Sequence, residues 1–168
     1  EGIAGIGTTK EVSNPNTLDS KNTVIRTAAM DCYILPCEYM GFDTTSIASS
    51  DTFAALQTGV VEGLAGSTPA GAYLNYRDII DYYYVYQMSP EVTQIMISEK
   101  TLAKLSPEDQ KTIVDICRQE CANSVNYAKE EDEKYLKLME DNGIKIVRFT
   151  DEEIEMFAEA VRTNVWPQ

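Results

Sequence analysis

The segment Ser106-Pro107-Glu108-Asp109 opens a run that meets no stop signal until Asn142-Gly143, and this constrains the chain more than any other feature. Ser106 supplies an oxygen for an orphan backbone N–H, Pro107 suits the first helical position, and the two acids sit at the positive helix end. Gly143 accepts the left-handed conformation that ends a helix. The spacing therefore predicts one helix of roughly 35 residues, about 50 Å at 1.5 Å per residue, longer than a small domain spans. Such a helix often bridges two lobes.

Around it, short β-like runs alternate with amphipathic helical stretches, the pattern of a sheet covered by helices. The class is α/β. Gly2–Gly7, Thr23–Thr27, Asp43–Ala48 and Val60–Ala65 read as strands, and Tyr82–Met88 and Val92–Ser98, separated by Ser89-Pro90, as two further strands or one long bent connection. Ala29–Met40 reads as a helix, and Ser49 or Ser50 can cap another that runs to Gly59. The polar turn Gly66-Ser67-Thr68 leads into Pro69 at the start of a helix through about Asp78. Ile144–Phe149 alternates as a final strand, and Thr150-Asp151-Glu152-Glu153 forms a capping box for a last helix to about Val165.

Net charge is −13, from 27 acidic and 14 basic residues, so the average field repels phosphate backbones and no basic stretch provides an exception. Nucleic acid is excluded as a partner. An anion can bind only where a particular cation or a set of backbone N–H groups outweighs that field, which makes each arginine worth locating. The apolar runs fall short of the roughly 20 residues that span a bilayer. The chain opens at Glu1 rather than Met, which reads as a processed or trimmed product.

No histidine is present, and neither a G-x-S-x-G turn nor a phosphate-binding glycine loop occurs. No metal site and no cofactor are expected. Cys117 and Cys121 share a helical stripe with Ile113, Val125 and Ala128, where thiols serve as small hydrophobes. Cys32 and Cys37 flank Tyr33–Pro36 in a helical stretch where a disulfide would strain the backbone. The acidic run Glu130-Glu131-Asp132-Glu133 reads as a solvated helix face. Thiol chemistry at Cys32 or Cys37 is the one enzymatic reading left.

Four blocks in order, "TLDSKNTVIRTAA", "SSDTFAALQTGVVEGL", "NYRDIIDYYYV" and "ISEKTLAKLSPEDQKTIVD", resemble the solute-binding proteins of tripartite ATP-independent periplasmic (TRAP) transporters, the dicarboxylate-binding protein family. The resemblance covers nearly the whole chain but begins about midway through the family. It implies a periplasmic-binding-protein-like (type II) lobe with a long interlobe helix and most of the first lobe absent. By the family layout, residues 1–91 and 133–168 make the second, ligand-binding lobe, while 92–132 contribute a strand and helix to the first.

The function implied is that of an extracytoplasmic receptor that binds a small organic carboxylate and delivers it to membrane permease subunits. Its location would be periplasmic or extracellular, with a membrane anchor before processing as an option. The family arginine that forms a bidentate pair with the ligand carboxylate matches Arg26. The competing reading pairs Arg26 with a protein acid such as Asp31. Gly66 stands where family members often carry a ligand-touching asparagine, leaving Ser67, Thr68 and helix-start N–H groups to cradle an anion. Ser49 replaces a ring-bearing residue, so the pocket there should be roomier or more polar. The absent half leaves apolar surface that predicts self-association or a companion N-terminal half. An alternative is an interaction or sensor module that keeps the lobe without transport, with Tyr82-Tyr83-Tyr84 and Tyr86 as an exposed contact surface.

Overall fold

The computed structural model describes residues 2–92 and 94–167, with all side chains among them except that of Val125. In chain order the elements are β1 (Ile3–Thr8), β2 (Val24–Thr27), α1 (Asp31–Tyr39), β3 (Asp43–Ser46), a 3-10 turn (Ser49–Asp51), α2 (Thr52–Gln57), β4 (Gly63–Ser67), α3 (Pro69–Tyr76), β5 (Tyr82–Pro90), α4 (Glu99–Leu102), α5 (Pro107–Asp141), β6 (Lys145–Val147) and α6 (Asp151–Asn164). The described strands form one mixed sheet in the order β3-β2-β4-β1-β5-β6. β2 runs parallel to both β3 and β4, β1 is antiparallel to β4 and β5, and β6 is parallel to β5.

Two apolar clusters lie on opposite faces of this sheet. Strand alternation sends Ile25, Ala65, Tyr84 and Tyr86 to one, where Cys37, Met40, Phe42 and Phe157 meet them. Leu64 and Tyr83 point the other way, against Ala55 and Leu56 of α2 and Leu136 and Met139 of α5. The α1 crossover leads from β2 to one neighbouring strand and the α2 crossover returns past it to the other, so the right-handed rule places α1 and α2 on opposite faces. The two clusters agree with that.

The long helix forms as its caps predict: the Ser106 hydroxyl accepts from Asp109 N–H at 3.1 Å, and Gly143 takes φ +90° past the end. Its first two-thirds, however, leave the body of the protein. No described side chain from Pro107 to Glu131 is buried, and the first buried one is Leu136. Cys121 is therefore exposed and Cys117 half-buried, so the stripe on which they were read as small hydrophobes is not packed into the core at these two positions. Val125, placed in the same stripe by sequence, lies outside the described side chains.

Other boundaries also move. Neither Ser49 nor Ser50 caps a helix, because the tight turn Asp51 N–H to Ala48 carbonyl, 3.0 Å, satisfies the donor first. β4 starts at Gly63 rather than Val60, since the N–H groups of Val60 and Val61 still bond to the Ala55 carbonyl at the end of α2. Gly66 and Ser67 thus belong to the strand end rather than to a turn. Of the two readings of Val92–Ser98, a second strand does not form among its described residues, and Thr93 lies outside them. A strand exists only with a hydrogen-bonding neighbour, and the last such bond is Glu91 N–H to the Gly2 carbonyl at 3.1 Å. Tyr83, Tyr84 and Tyr86 are buried, which removes the exposed tyrosine surface of the interaction-module reading.

Candidate functional site

Strands that end in parallel bring their carboxyl ends to one edge, and where successive crossovers leave in opposite directions a crevice opens between them. Here that switch point lies between β2 and β4. Arg26 stands one residue from the end of β2, with Thr45 of β3 and Leu64 of β4 beside it in register. Gly66, Ser67 and Thr68 end β4 and begin α3, while Ser49 follows β3. The topology therefore collects all five predicted site residues on one edge, although they come from three separate chain segments.

The Arg26 side chain shares its face with Val24, which packs on the α2-side cluster. Its Nε donates to the Ile47 carbonyl at 2.7 Å, just past β3, and this single bond steers the guanidinium along the strand ends. Among the described residues no carboxylate lies within ion-pair distance of it, so the Asp31 pairing does not occur. Both terminal nitrogens keep their donors for another partner. That is the fork that a carboxylate accepts bidentately.

The other predicted residues are placed less uniformly. Gly66 adopts φ +80°, a conformation that glycine enters without penalty, and the ring of Tyr33 lies 3.5 Å from where a β-carbon would stand. The Ser67 hydroxyl makes only a long bond, 3.4 Å, to the Thr68 carbonyl, while the Ser67 carbonyl accepts from the Tyr83 hydroxyl at 2.7 Å. Thr68 is buried and caps α3 by accepting from Gly71 N–H at 3.2 Å, which uses a lone pair of its hydroxyl and not its proton. Ser49 is exposed. Beside Arg26, the Thr27 hydroxyl is buried without a hydrogen-bond partner among the described residues.

Two contributors to the site escaped sequence reading, and so did one buried lysine at the opposite, amino end of β2. Tyr83 holds the floor of the site through Ser67, and burial pushes its phenol well above the ordinary value. Tyr33 forms a wall against Gly66. Lys21 is buried, with its ammonium on the carbonyls of Thr17 and Asp19 and 5.8 Å from the centre of the Phe157 ring. Desolvation lowers its pKa to about 8, partly offset by Asp19. The nearest signal for these was the strand alternation that puts Tyr83 opposite Tyr82 and Tyr84; nothing local marks Lys21 as buried.

A cavity of about 330 Å³ lies away from this edge, between α1, β5 and α6, with Cys32, Tyr86, Phe157 and Trp166 in its walls. None of the five site residues lines it. Thiol chemistry finds no support at Cys37, which is buried with its thiol pushed up to about 12 by desolvation. No group of metal-ligating side chains occurs among the described residues, and no described helix is long and apolar enough to cross a membrane.

The sequence profile described as "Bacterial extracellular solute-binding protein, family 7" matches residues 1–167. No curated protein matches the chain. Solved structures similar in fold include a TRAP periplasmic solute-binding protein from Escherichia fergusonii in an apo open state, at 22% identity and TM-score 0.79, covering 97% of this chain and 53% of that one. Another, from Actinobacillus succinogenes with bound L-galactonate, has 18% identity and TM-score 0.77 over 99% of this chain and 55% of that one. A third, from Ochrobacterium anthropi with bound L-fuconate, has 23% identity and TM-score 0.76 over 96% and 53%. At such identities the likeness establishes the fold, and the chain spans about half the length of these proteins.

Proposed function

The chain belongs to bacterial extracellular solute-binding protein family 7, and from that premise we propose that it is an extracytoplasmic receptor for a small organic carboxylate rather than an enzyme. Proteins of this family are transport-related periplasmic receptors, and a periplasmic place of action follows for this chain as part of the proposal. The observation that carries the reading is Arg26. A guanidinium held by one backbone carbonyl, free of any described acid, stands at the switch point of an α/β sheet in a protein of net charge −13. Such a cation attracts a carboxylate where the surrounding field would otherwise repel it. The bound sugar acids of two structural relatives support the ligand class.

The same reading divides the chain. Residues 1–91 and 133–168 form the ligand-binding lobe, and 92–132 reach into a companion lobe. Val92, Ile95, Met96, Ile97, Ile116 and Tyr127 are exposed apolar side chains in that segment, which a companion half or self-association would cover. Delivery of the ligand to membrane permease subunits completes the proposed role.

The test is calorimetry with L-galactonate, L-fuconate and succinate on the receptor with both lobes present. Charge-assisted hydrogen bonds contribute about 1.5–3 kcal/mol each, so Arg26→Ala should weaken the binding ligand at least tenfold. Its melting temperature should fall by no more than a few degrees, since one bond to Ile47 is lost. Unchanged affinity in the variant refutes the assignment.

A further inference from the structure

The ladder of the sheet is interrupted along one line that crosses the neighbouring strands β4, β1 and β5. On the β4 side, Ile6 pairs with Ala65 and Gly5 with Ser67, so Gly66 is an extra residue on β4 and takes φ +80°. On the β5 side, Ile6 pairs with Tyr84 and Ala4 with Ser89, so Gly5 alone faces residues 85–88, among them Gln87 at φ +52°. A single bulge bends its strand and sharpens the local twist. Two bulges that meet at Gly5 from opposite sides make a crease. Gly5 fits there only without a side chain, since a β-carbon would come within 2.5 Å of the Tyr84 carbonyl oxygen. Gln87 is the strained element, because a residue with a β-carbon is disfavoured in the left-handed region.

Packing changes at the same line. Ile6, Ala65, Tyr84 and Tyr86 on one face and Leu64 and Tyr83 on the other are held by the two apolar clusters, whereas Ile3, Ala4, Ser89 and Pro90 beyond the line belong to neither. These four form a two-stranded ribbon, with Ile3 opposite Pro90 and Ala4 opposite Ser89, extended by Glu91 N–H to the Gly2 carbonyl at 3.1 Å. The ribbon is tied to α5 instead. Ile3 N–H donates to Asp132 Oδ2 at 2.9 Å, and Gly2 lies so close that a β-carbon there would stand 1.8 Å from Asp132 Oδ1. Asp132 is also where the helix meets the body: no described side chain from Pro107 to Glu131 is buried, and Leu136, one turn on, is.

We infer that the crease through Gly66, Gly5 and Gln87 is a pivot inside the ligand-binding lobe, and that the ribbon of residues 2–4 and 89–91 swings with the outer part of α5 rather than with the sheet. The inference rests on the reading that residues 92–132 reach into a companion lobe, and it moves the mechanical boundary from residue 91 back to residues 85–88. A ladder already interrupted has few hydrogen bonds to lose when its angle changes, and a segment outside the apolar clusters has little packing to break. Gly66 ends the crease beside Ser67, so the swing reaches the edge that carries Arg26.

Residual dipolar couplings of backbone N–H groups, measured on the chain in several aligning media, test this. One alignment tensor is fitted to residues 6–8, β2, residues 63–65, residues 82–84 and α6. The expected result is that the couplings of Ile3, Ala4, Ser89 and Glu91 depart from that tensor and fit a second one together with those of residues 107–131. In Asp132→Ala the ribbon should leave the second tensor; in Asp132→Asn, whose side-chain oxygen still accepts from Ile3 N–H, it should remain. Unchanged sheet couplings in both variants show that they are folded. Ribbon couplings that fit the sheet tensor, with departure only from residue 92 onward, overturn the inference and leave the companion-lobe reading in place. A ribbon that stays with residues 107–131 in Asp132→Ala overturns it as well, and so does a single tensor for the whole chain. The receptor reading is decided separately by the calorimetry of Arg26→Ala, which none of these couplings enters.

Discussion

Replacing Tyr83 with Phe removes one oxygen from the floor of the site and tests whether that floor is held as described. The hydroxyl donates to the Ser67 carbonyl at 2.7 Å, with the ring fully buried between β1 and the α2-side cluster. Phe keeps the ring, so the apolar packing survives and the change reduces to one hydrogen bond. A neutral bond contributes about 0.5–1.5 kcal/mol net, and a buried carbonyl left without a partner costs about 1–3 kcal/mol. The expected loss is therefore about 1–3 kcal/mol. For a domain of this size that corresponds to a fall in Tm of roughly 2–12 °C. Urea unfolding followed by circular dichroism should show a lower midpoint with an unchanged slope, because the exposed surface on unfolding is the same. Burial holds the phenol above its ordinary range, so the loss should not vary with pH across neutrality. Gly5→Ala supplies a control, since its β-carbon would come within 2.8 Å of the Tyr83 hydroxyl and 2.5 Å of the Tyr84 carbonyl. It should destabilise the protein, and by less in the Tyr83→Phe background. A Tyr83→Phe midpoint equal to that of the parent would show that Ser67 is not held through this bond.

Lys21 makes a prediction about alkaline pH. Burial lowers its pKa from the ordinary 10.5 to about 8, so between those values the unfolded chain binds the extra proton and folding becomes more favourable as pH rises. Relative to Lys21→Met, the parent should gain stability from about pH 8 toward 10.5; a flat or falling difference in denaturant midpoints contradicts a buried, desolvated ammonium. At the other end of the chain, Thr150 accepts from Glu153 N–H at 3.3 Å and Glu153 accepts from Thr150 N–H at 2.8 Å. Thr150→Ala should therefore lose about 1 kcal/mol in chemical denaturation, and an unchanged midpoint would mean that α6 is fixed by Phe157 packing alone.

Within the site, the legible and illegible parts divide by the range of the interaction. Arg26 could be singled out as a strand-end cation, and the likeness of surrounding blocks to a known family gave it a role. Its release from Asp31 and its bond to the Ile47 carbonyl depend on how β2 and β3 align, a contact across 21 residues of sequence. Thr68 was read as an anion contact; that its hydroxyl also accepts from Gly71 N–H in the first turn of α3 is a local bond that its place before Pro69 made legible. Tyr33 drew no notice because nothing near it in sequence reveals that its ring will meet Gly66.

The fold divides in the same way. Helix ends are local chemistry: Ser106, Gly143 and the Thr150–Glu153 box each satisfy backbone groups a few residues away, so the sequence alone determined α5 and α6 to within a residue or two. Strands satisfy their N–H and C=O groups only through neighbours elsewhere in the chain. For that reason tertiary structure decided that β4 begins at Gly63, that β1 lies between β4 and β5, and that Val92–Ser98 remains unpaired among its described residues. It also decided that Lys21, polar by composition, is enclosed, since only the convergence of Thr17, Asp19, Phe42 and Phe157 makes a place where an ammonium can stay without water.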